Sequence, residues 1–328
     1  MTKALVQTSR KKFSVVIQED QIQNLIAQTL GDDKRKRKFI ASISSVVATN
    51  PGLQKCDPFT VINSALLGEA LELAPSPQLG YFYMVPFDEK KWNPQTKTRE
   101  LVRTVATFIL GYKGYIQLAI RSGLYKDIDS YPVYEGEYQG RDQDTGKPLF
   151  KFSEESNEDR EVIGYIAYLE LNTGFKKVIY WTKEKMMKHA DKYSAAFKLQ
   201  DYDNYINGKT NKADEWKYSS YWYQDFDGMA KKTMIRQLIS KWGIMSVELQ
   251  QAFINDTSYT DELGRVKYYD NESAKDDVIE EIEVQTASKE PGGIHNADAP
   301  SEEDTAKKKE PAHDEETGEI KQDKPSFM

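Results

Sequence analysis

Lys113, Gln117 and Arg121 recur at four-residue intervals within Gly111-Tyr-Lys-Gly-Tyr-Ile-Gln-Leu-Ala-Ile-Arg-Ser-Gly123. On a helix that spacing makes one polar stripe, opposite a broad apolar face of Tyr112, Tyr115, Ile116, Ala119 and Ile120. Gly111 and Gly114 let backbone approach closely, and the unpaired N–H groups of a helix start attract anions. Together these features suit a ridge that holds phosphate oxygens. Periodicity alone fits an ordinary amphipathic helix with a solvated face better.

A second helical pattern runs from Met229 to Trp242, with Met234, Ile235, Leu238, Ile239 and Trp242 as its buried stripe. Lys232 and Arg236 lie one turn apart on a flank. Lys231 projects over the start of the stripe, where a cation must meet an anion or snorkel out. Arg103, Lys217 and Lys241 are further candidate cations, set among strand-like or aromatic residues. Lys217 falls in WKYSSYWYQDF (216–226). Cations interleaved with rings suit single-stranded nucleic acid, whose phosphates follow the charges and whose bases stack on the rings. At least half of these rings are expected in the core instead.

Other chemistries find little support. A phosphate loop needs four residues between its glycines and then GK[ST]. Gly140 and Gly146 are separated by five, with Pro148 after Lys147, and Gly208-Lys209-Thr210 has Asp203 where the first glycine belongs. No GxSxG, HExxH or GxGxxG occurs. One cysteine, Cys56, excludes an internal disulfide, and three histidines leave little for a metal centre. Carboxylates are plentiful, so a metal-dependent nuclease stays open as an alternative, as does a structural or scaffolding protein without DNA affinity.

These helices need a frame. The pattern predicts helices first: Gln21 to Leu30 with Ile22, Leu25 and Ile26 inward, a stretch led by Lys34–Lys38, and a buried helix capped at Asp57-Pro58 and ended by Pro75. Strands follow at Gly80–Pro86 and Leu101–Leu110, joined by a polar loop with Lys90, Lys91, Trp92, Lys97 and Arg99. A plainer hairpin is Val162–Leu171 with Phe175–Trp181, after which Thr182 caps a helix. Residues 198–215 read as loop, and Met229–Phe253 as one long helical region. The expected class is α+β, an antiparallel hairpin-rich sheet packed on helices.

Charge divides the chain. Residues 256–328 hold 9 Lys+Arg and 21 Asp+Glu, a net −12, whereas residues 1–255 hold 36 and 31, a net +5. From Asp270 onward there is one aromatic, so most of this tail is expected to stay disordered, with Asp277–Val284 a candidate helix on a partner. The expected division is therefore a helical segment at 1–49, a core at 50–257 and an acidic tail at 258–328. No apolar run is long enough to span a membrane, and no secretory signal is expected from the N-terminal residues.

Several segments, taken in order, resemble the RecT family of phage-type recombinases. They are Asn50-Pro-Gly-Leu-Gln-Lys-Cys56, the strand ending Val85-Pro86-Phe87, GYKGYIQLAIRSG, Val133–Glu137 and Met229-Ala-Lys-Lys-Thr-Met-Ile-Arg236. The resemblance implies a single-strand annealing protein that is not an enzyme. It would coat single-stranded DNA as an oligomer or helical filament and pair complementary strands through an annealed duplex intermediate. No ATP or other cofactor is implied, with Mg²⁺ as an aid to annealing. The implied partners are a 5′→3′ exonuclease and the host single-stranded DNA-binding protein, in the host cell cytoplasm. The DNA-contact set on this reading is Tyr112, Lys113, Gln117, Arg121, Arg103, Lys217, Lys231, Lys232, Arg236 and Lys241.

Overall fold

A computed structural model describes residues 11–154, 159–194, 196–211, 217–218, 220–260 and 265–268. The chain divides into two units, Met1–Ile279 and Glu280–Met328. The second, and with it most of the acidic tail and the candidate helix at 277–284, lies outside the described residues, as does Trp216. Among the described residues no helix is long and apolar enough to cross a membrane.

The chain opens with α1 (Phe13–Val16), α2 (Asp20–Leu30), α3 (Asp33–Thr49), α4 (Pro51–Gln54) and α5 (Pro58–Ala70). Polar caps set the last three starts. Asp32 accepts from the amides of Lys34 and Arg35, Asn50 from those of Gly52 and Leu53, and Asp57 from that of Phe59. In α2 the buried residues are Ile22, Ile26 and Leu30, stacked at four-residue intervals, and Leu25 is left 41% exposed, against the expected face. Ile26 and Ile43 sit in the same hydrophobic core as the sheets and later helices, so the described N-terminal helices add to that core.

β1 (Phe82–Asn93) and β2 (Thr98–Leu110) form one long antiparallel hairpin, from Phe82 opposite Leu110 to Asn93 opposite Thr98. Lys90, Lys91, Trp92 and Arg99, expected in a loop, are paired in the ladder. Backbone pairing does not require apolar side chains, and only residues 94–97 turn, with the Asn93 side chain accepting from the Gln95 amide. The other edge of β2 is closed by α5. The Thr60 hydroxyl accepts from the Ala106 amide at 2.8 Å and the Ser64 hydroxyl donates to the Ala106 carbonyl at 2.9 Å. Spaced four apart, the two hydroxyls share one helix face and satisfy an otherwise bare strand edge.

After α6 (Tyr112–Arg121) come β3 (Tyr125–Tyr134), β4 (Tyr138–Arg141), β5 (Pro148–Phe150), β6 (Val162–Leu171) and β7 (Lys176–Thr182). β6 and β7 are the expected hairpin, and β3 completes a sheet of order β3-β6-β7, while β4 and β5 pair separately. Asp127 and Asp129 break the apolar alternation of β3, which hid it from the sequence reading. Thr182 caps α7 (Lys183–Tyr193) as expected.

α8 (Leu199–Ile206) replaces an expected loop. Its Tyr202 is buried against Phe226, 5.1 Å between ring centres, and joins Phe197 and Tyr223 in an aromatic cluster. That packing holds a polar sequence in a helix whose own propensity is modest. α9 (Tyr221–Gln224), α10 (Phe226–Trp242) and α11 (Val247–Asn255) follow. The expected single helix from Met229 to Phe253 breaks at Gly243. Tyr125 of β3 crosses there: a Cβ on Gly243 would fall 2.3 Å from the Tyr125 hydroxyl, which donates to the Ile244 carbonyl. Met234, Ile235, Leu238 and Ile239 are fully buried, so α10 is the central core helix, packed on β6, β3 and α6.

The sheet continues past the expected boundary at Thr257. β8 (Ser258–Thr260) pairs with β2 at Phe108, and β9 (Val266–Tyr268) pairs with β8, giving the order β1-β2-β8-β9. The architecture is α+β, with antiparallel sheets packed on helices.

Candidate nucleic-acid interface

The two motif helices meet. Gly111 and Gly114 let α6 lie against the chain entering β1, since a Cβ on either would lie 2.2 Å and 2.1 Å from the carbonyl oxygens of Gly80 and Tyr81. The Gly111 amide donates to the Tyr81 carbonyl at 2.8 Å. These glycines thus dock α6 on the start of β1. The buried side of α6 is Gly114, Tyr115, Leu118 and Ala119, while Ile120 is 44% exposed, a rotation from the expected apolar face.

Asp256 ties this junction together. Its buried carboxylate accepts from the Leu110 amide at 2.9 Å, the Tyr115 hydroxyl at 3.0 Å, the Lys232 ammonium at 2.9 Å and the Arg236 guanidinium at 3.1 Å. One side chain therefore joins β2, α6 and α10. Burial alone would raise the Asp256 carboxyl, but Lys232 and Arg236 outweigh it and hold the group below the usual aspartate range. Burial lowers Lys232, with Asp256 opposing and Arg236 adding to the shift. Burial, with Asp256 beside it, pushes the Tyr115 phenol up, so Tyr115 is a neutral donor.

The structure turns two candidate contacts, Lys232 and Arg103, inward and engages a third, Arg236. Lys232, not Lys231, is the cation on the buried side of α10, and it faces Asp256 rather than solvent. Arg236 is turned to Asp256, to the Tyr115 hydroxyl at 3.0 Å and to the Phe253 ring. Arg103, 4% exposed, is held at 2.8 Å by both Asp57 and Glu89. A buried cation is costly unless paired, so Lys232 and Arg103 are ties within the fold, while Arg236, its side chain 26% exposed, lies at the edge of the same junction. Arg121 is also engaged, donating to the Leu71 and Glu72 carbonyls at the end of α5.

A different group is half-buried or exposed. Lys231 lies over the Tyr112 ring at 4.5 Å and donates to its hydroxyl at 3.4 Å, linking α10 to α6. The alkyl stem of Lys113 and the hydroxyl of Tyr83 both lie against Gly80, and Lys113 is exposed. Tyr83 pairs with Tyr221, ring centres 5.6 Å apart, and Tyr221 is 39% exposed. Burial, then Tyr221, Asp225 and Tyr112, raise the Tyr83 phenol, which stays neutral. Gln117 is half-buried one turn along α6 from Lys113. Lys217 and Lys241 are exposed elsewhere, Lys241 in the last turn of α10. Trp222, Tyr223 and Phe226 of the aromatic run are buried, so most of its described rings belong to the core.

The sequence reading missed Asp256, Tyr83 and Tyr221. A lysine beside an apolar stripe does signal a buried anion, but nothing in the sequence selects Asp256 among so many carboxylates. The tyrosines carry no periodic signal because they come from a strand end and a short turn of helix.

Residues 37–277 match the family model described as RecT family. The chain is 37% identical over 258 residues to the uncharacterized protein YqaK of Bacillus subtilis strain 168, covering 77% of each sequence. The chain belongs to the RecT family. It is also 24% identical over 240 residues to protein RecT of Escherichia coli strain K12, covering 73% of this chain and 78% of that protein. Membership carries the family-level function, recombination by single-strand annealing. The RecT-family match takes in both motif helices, the Asp256 junction and strands β8 and β9.

Proposed function

We propose that this RecT-family chain binds single-stranded DNA without sequence preference and anneals complementary strands as an oligomer, without ATP. The observation that carries the reading is the contact of Lys231 with Tyr112, which joins the two motif helices into a partly exposed band with Lys113, Tyr83 and Tyr221. Cations there follow the phosphates and the tyrosine rings stack on bases. Gln117 extends the band by one turn. The lack of a phosphate loop supports ATP independence, and Mg²⁺ is an aid that screens the two strands from each other. A 5′→3′ exonuclease would supply the single strand in the host cytoplasm, and the host single-stranded DNA-binding protein would compete for it.

A gel shift with a labelled oligonucleotide, with and without its complement and with no nucleotide present, tests the reading. A shifted species that converts to duplex is expected, and strand loss in Mg²⁺ or no shift at all would refute it. The residues are tested by Lys113→Ala with Lys231→Ala. Each lost phosphate contact lowers the log–log salt slope of single-strand affinity by about 0.7. An unchanged slope in the folded double variant rules this band out.

A further inference from the structure

Lys34, Arg35, Lys36, Arg37 and Lys38 follow one another in the first two turns of α3. The helix buries Phe39, Ile43 and Val47. At about 100° per residue, Lys34, Arg37 and Lys38 fall on the opposite side, within one turn of each other. All three are exposed. Ala41, Ser45 and Ala48 continue the same face and are exposed as well. The face thus carries cations at one end and only short side chains beyond them.

Arg35 pairs with Glu69 of α5 at 2.9 Å. Among the described residues no carboxylate forms an ion pair with Lys34, Lys36, Arg37 or Lys38. Asp32 accepts from the Lys34 and Arg35 amides as the helix cap, so the backbone at this end is already engaged and the side chains are the open feature. Asp33, beside it, makes no ion pair with Lys36 or Arg37. The macrodipole of a 17-residue helix is positive at this end, so the cations repel both each other and the helix until an anion arrives.

The kind of anion follows from what the face lacks. A single-strand site joins cations to rings that accept bases, as the band of Lys231, Tyr112, Tyr83 and Tyr221 does. The outward face of α3 has no ring, since Phe39 is buried in the core. It can hold phosphates without holding bases, so a bound backbone keeps its bases free to pair. Lys34 and Lys38 stand about 6 Å apart along the axis, roughly two steps of one DNA strand at about 3.4 Å each. Ala41, Ser45 and Ala48 leave room for that backbone to run on. We propose that Lys34, Arg37 and Lys38 form a ring-free phosphate contact, which holds the nucleic-acid backbone whether its bases are single or paired. The tyrosine band must release bases as they pair, whereas the α3 face keeps its grip on the product. This assignment rests on the annealing reading and deepens it.

Full-length protein is loaded on a fluorescein-labelled oligonucleotide, and release by rising salt is followed by anisotropy before and after an unlabelled complement is added. Lys34→Gln with Arg37→Gln and Lys38→Gln should lose about 2 from the log–log salt slope of the single-strand complex and about 2.7 from that of the annealed complex. Its urea midpoint should equal or exceed the parent's, because the repulsion at the helix start is gone. Lys34→Arg with Arg37→Lys and Lys38→Arg keeps the charges and should keep both slopes. Unchanged slopes in the glutamine variant overturn the contact while leaving annealing intact. A loss confined to one of the two complexes overturns its indifference to pairing. A lower urea midpoint, or lost slope in the charge-preserving variant, overturns it too, because the side chains would then act through packing. Failure of the parent protein to bind or anneal would instead refute the annealing reading.

Discussion

Lys232 and Arg236 stand one turn apart on α10 and share the buried carboxylate of Asp256. Removing one partner of such a group leaves an uncompensated charge in the core. Asp256→Asn should therefore cost about 3–5 kcal/mol of stability at neutral pH, read by urea unfolding. The sign with pH follows from the depressed Asp256 pKa. Its contribution is fully present above the unfolded value of about 4 and is lost as pH falls through the folded one. The stability gap between the parent and Asp256→Asn should thus close in acid, and a gap that stays constant down to the acid transition would contradict the pairing. Lys232→Ala should likewise lose stability, with DNA affinity falling only as far as the folded fraction falls.

At the scale of elements, β2 carries three different neighbours along its length. β1 lies on one edge, and the Thr60 and Ser64 hydroxyls of α5 and then β8 lie on the other. Where α5 gives way to β8, the Thr107 and Ser258 hydroxyls are buried without a hydrogen-bond partner. A buried unsatisfied hydroxyl costs about 1–3 kcal/mol, so Thr107→Val, similar in shape, should stabilise the protein by about 1 kcal/mol. A lower denaturation midpoint for that variant would show that the hydroxyl does have a partner in solution. The same strands extend outward as a hairpin with a mixed surface. Trp92 and Leu101, 61% and 58% exposed, lie on one face with Lys90 and Arg99.

For the whole molecule, the position of β8 and β9 moves the boundary of the folded core. Cutting after Thr257 removes Ser258, 1% exposed, and Tyr259, 8% exposed, along with both strands, and should destabilise the fold. Cutting after Ile279 should leave a folded protein that still anneals. Binding should be tighter because an acidic segment no longer competes with phosphate. A folded Ile279 truncation unable to pair strands would assign the tail an essential role. On the proposed annealing reading, long-range pairing needs subunits joined head to tail, since a two-fold patch stops at a dimer. Trp92→Ser with Leu101→Ser should shift the mass distribution on two complementary oligonucleotides toward monomers. An unchanged distribution by mass photometry would exclude the hairpin face.

Local chemistry was legible in the sequence wherever it acts over a few residues. The caps at Asp57 and Thr182, the hairpin at residues 162–182, the apolar stripe of α10 and the order of the family motifs were all readable, because each depends on neighbours in the chain. The charge split was readable for the same reason, being a matter of composition. Tertiary structure decided which cations of those motifs face solvent. Lys231 and Lys232 are adjacent in sequence, yet one lies over Tyr112 and the other meets Asp256, 24 residues away. Arg103 is turned inward because Asp57, 46 residues earlier, waits beside it. Likewise α8 exists through the rings it buries, and β8 through the free edge of β2. Periodicity reports which face of an element is apolar. It does not report which distant group will approach that face, and burial and pairing of a charge are set by that approach.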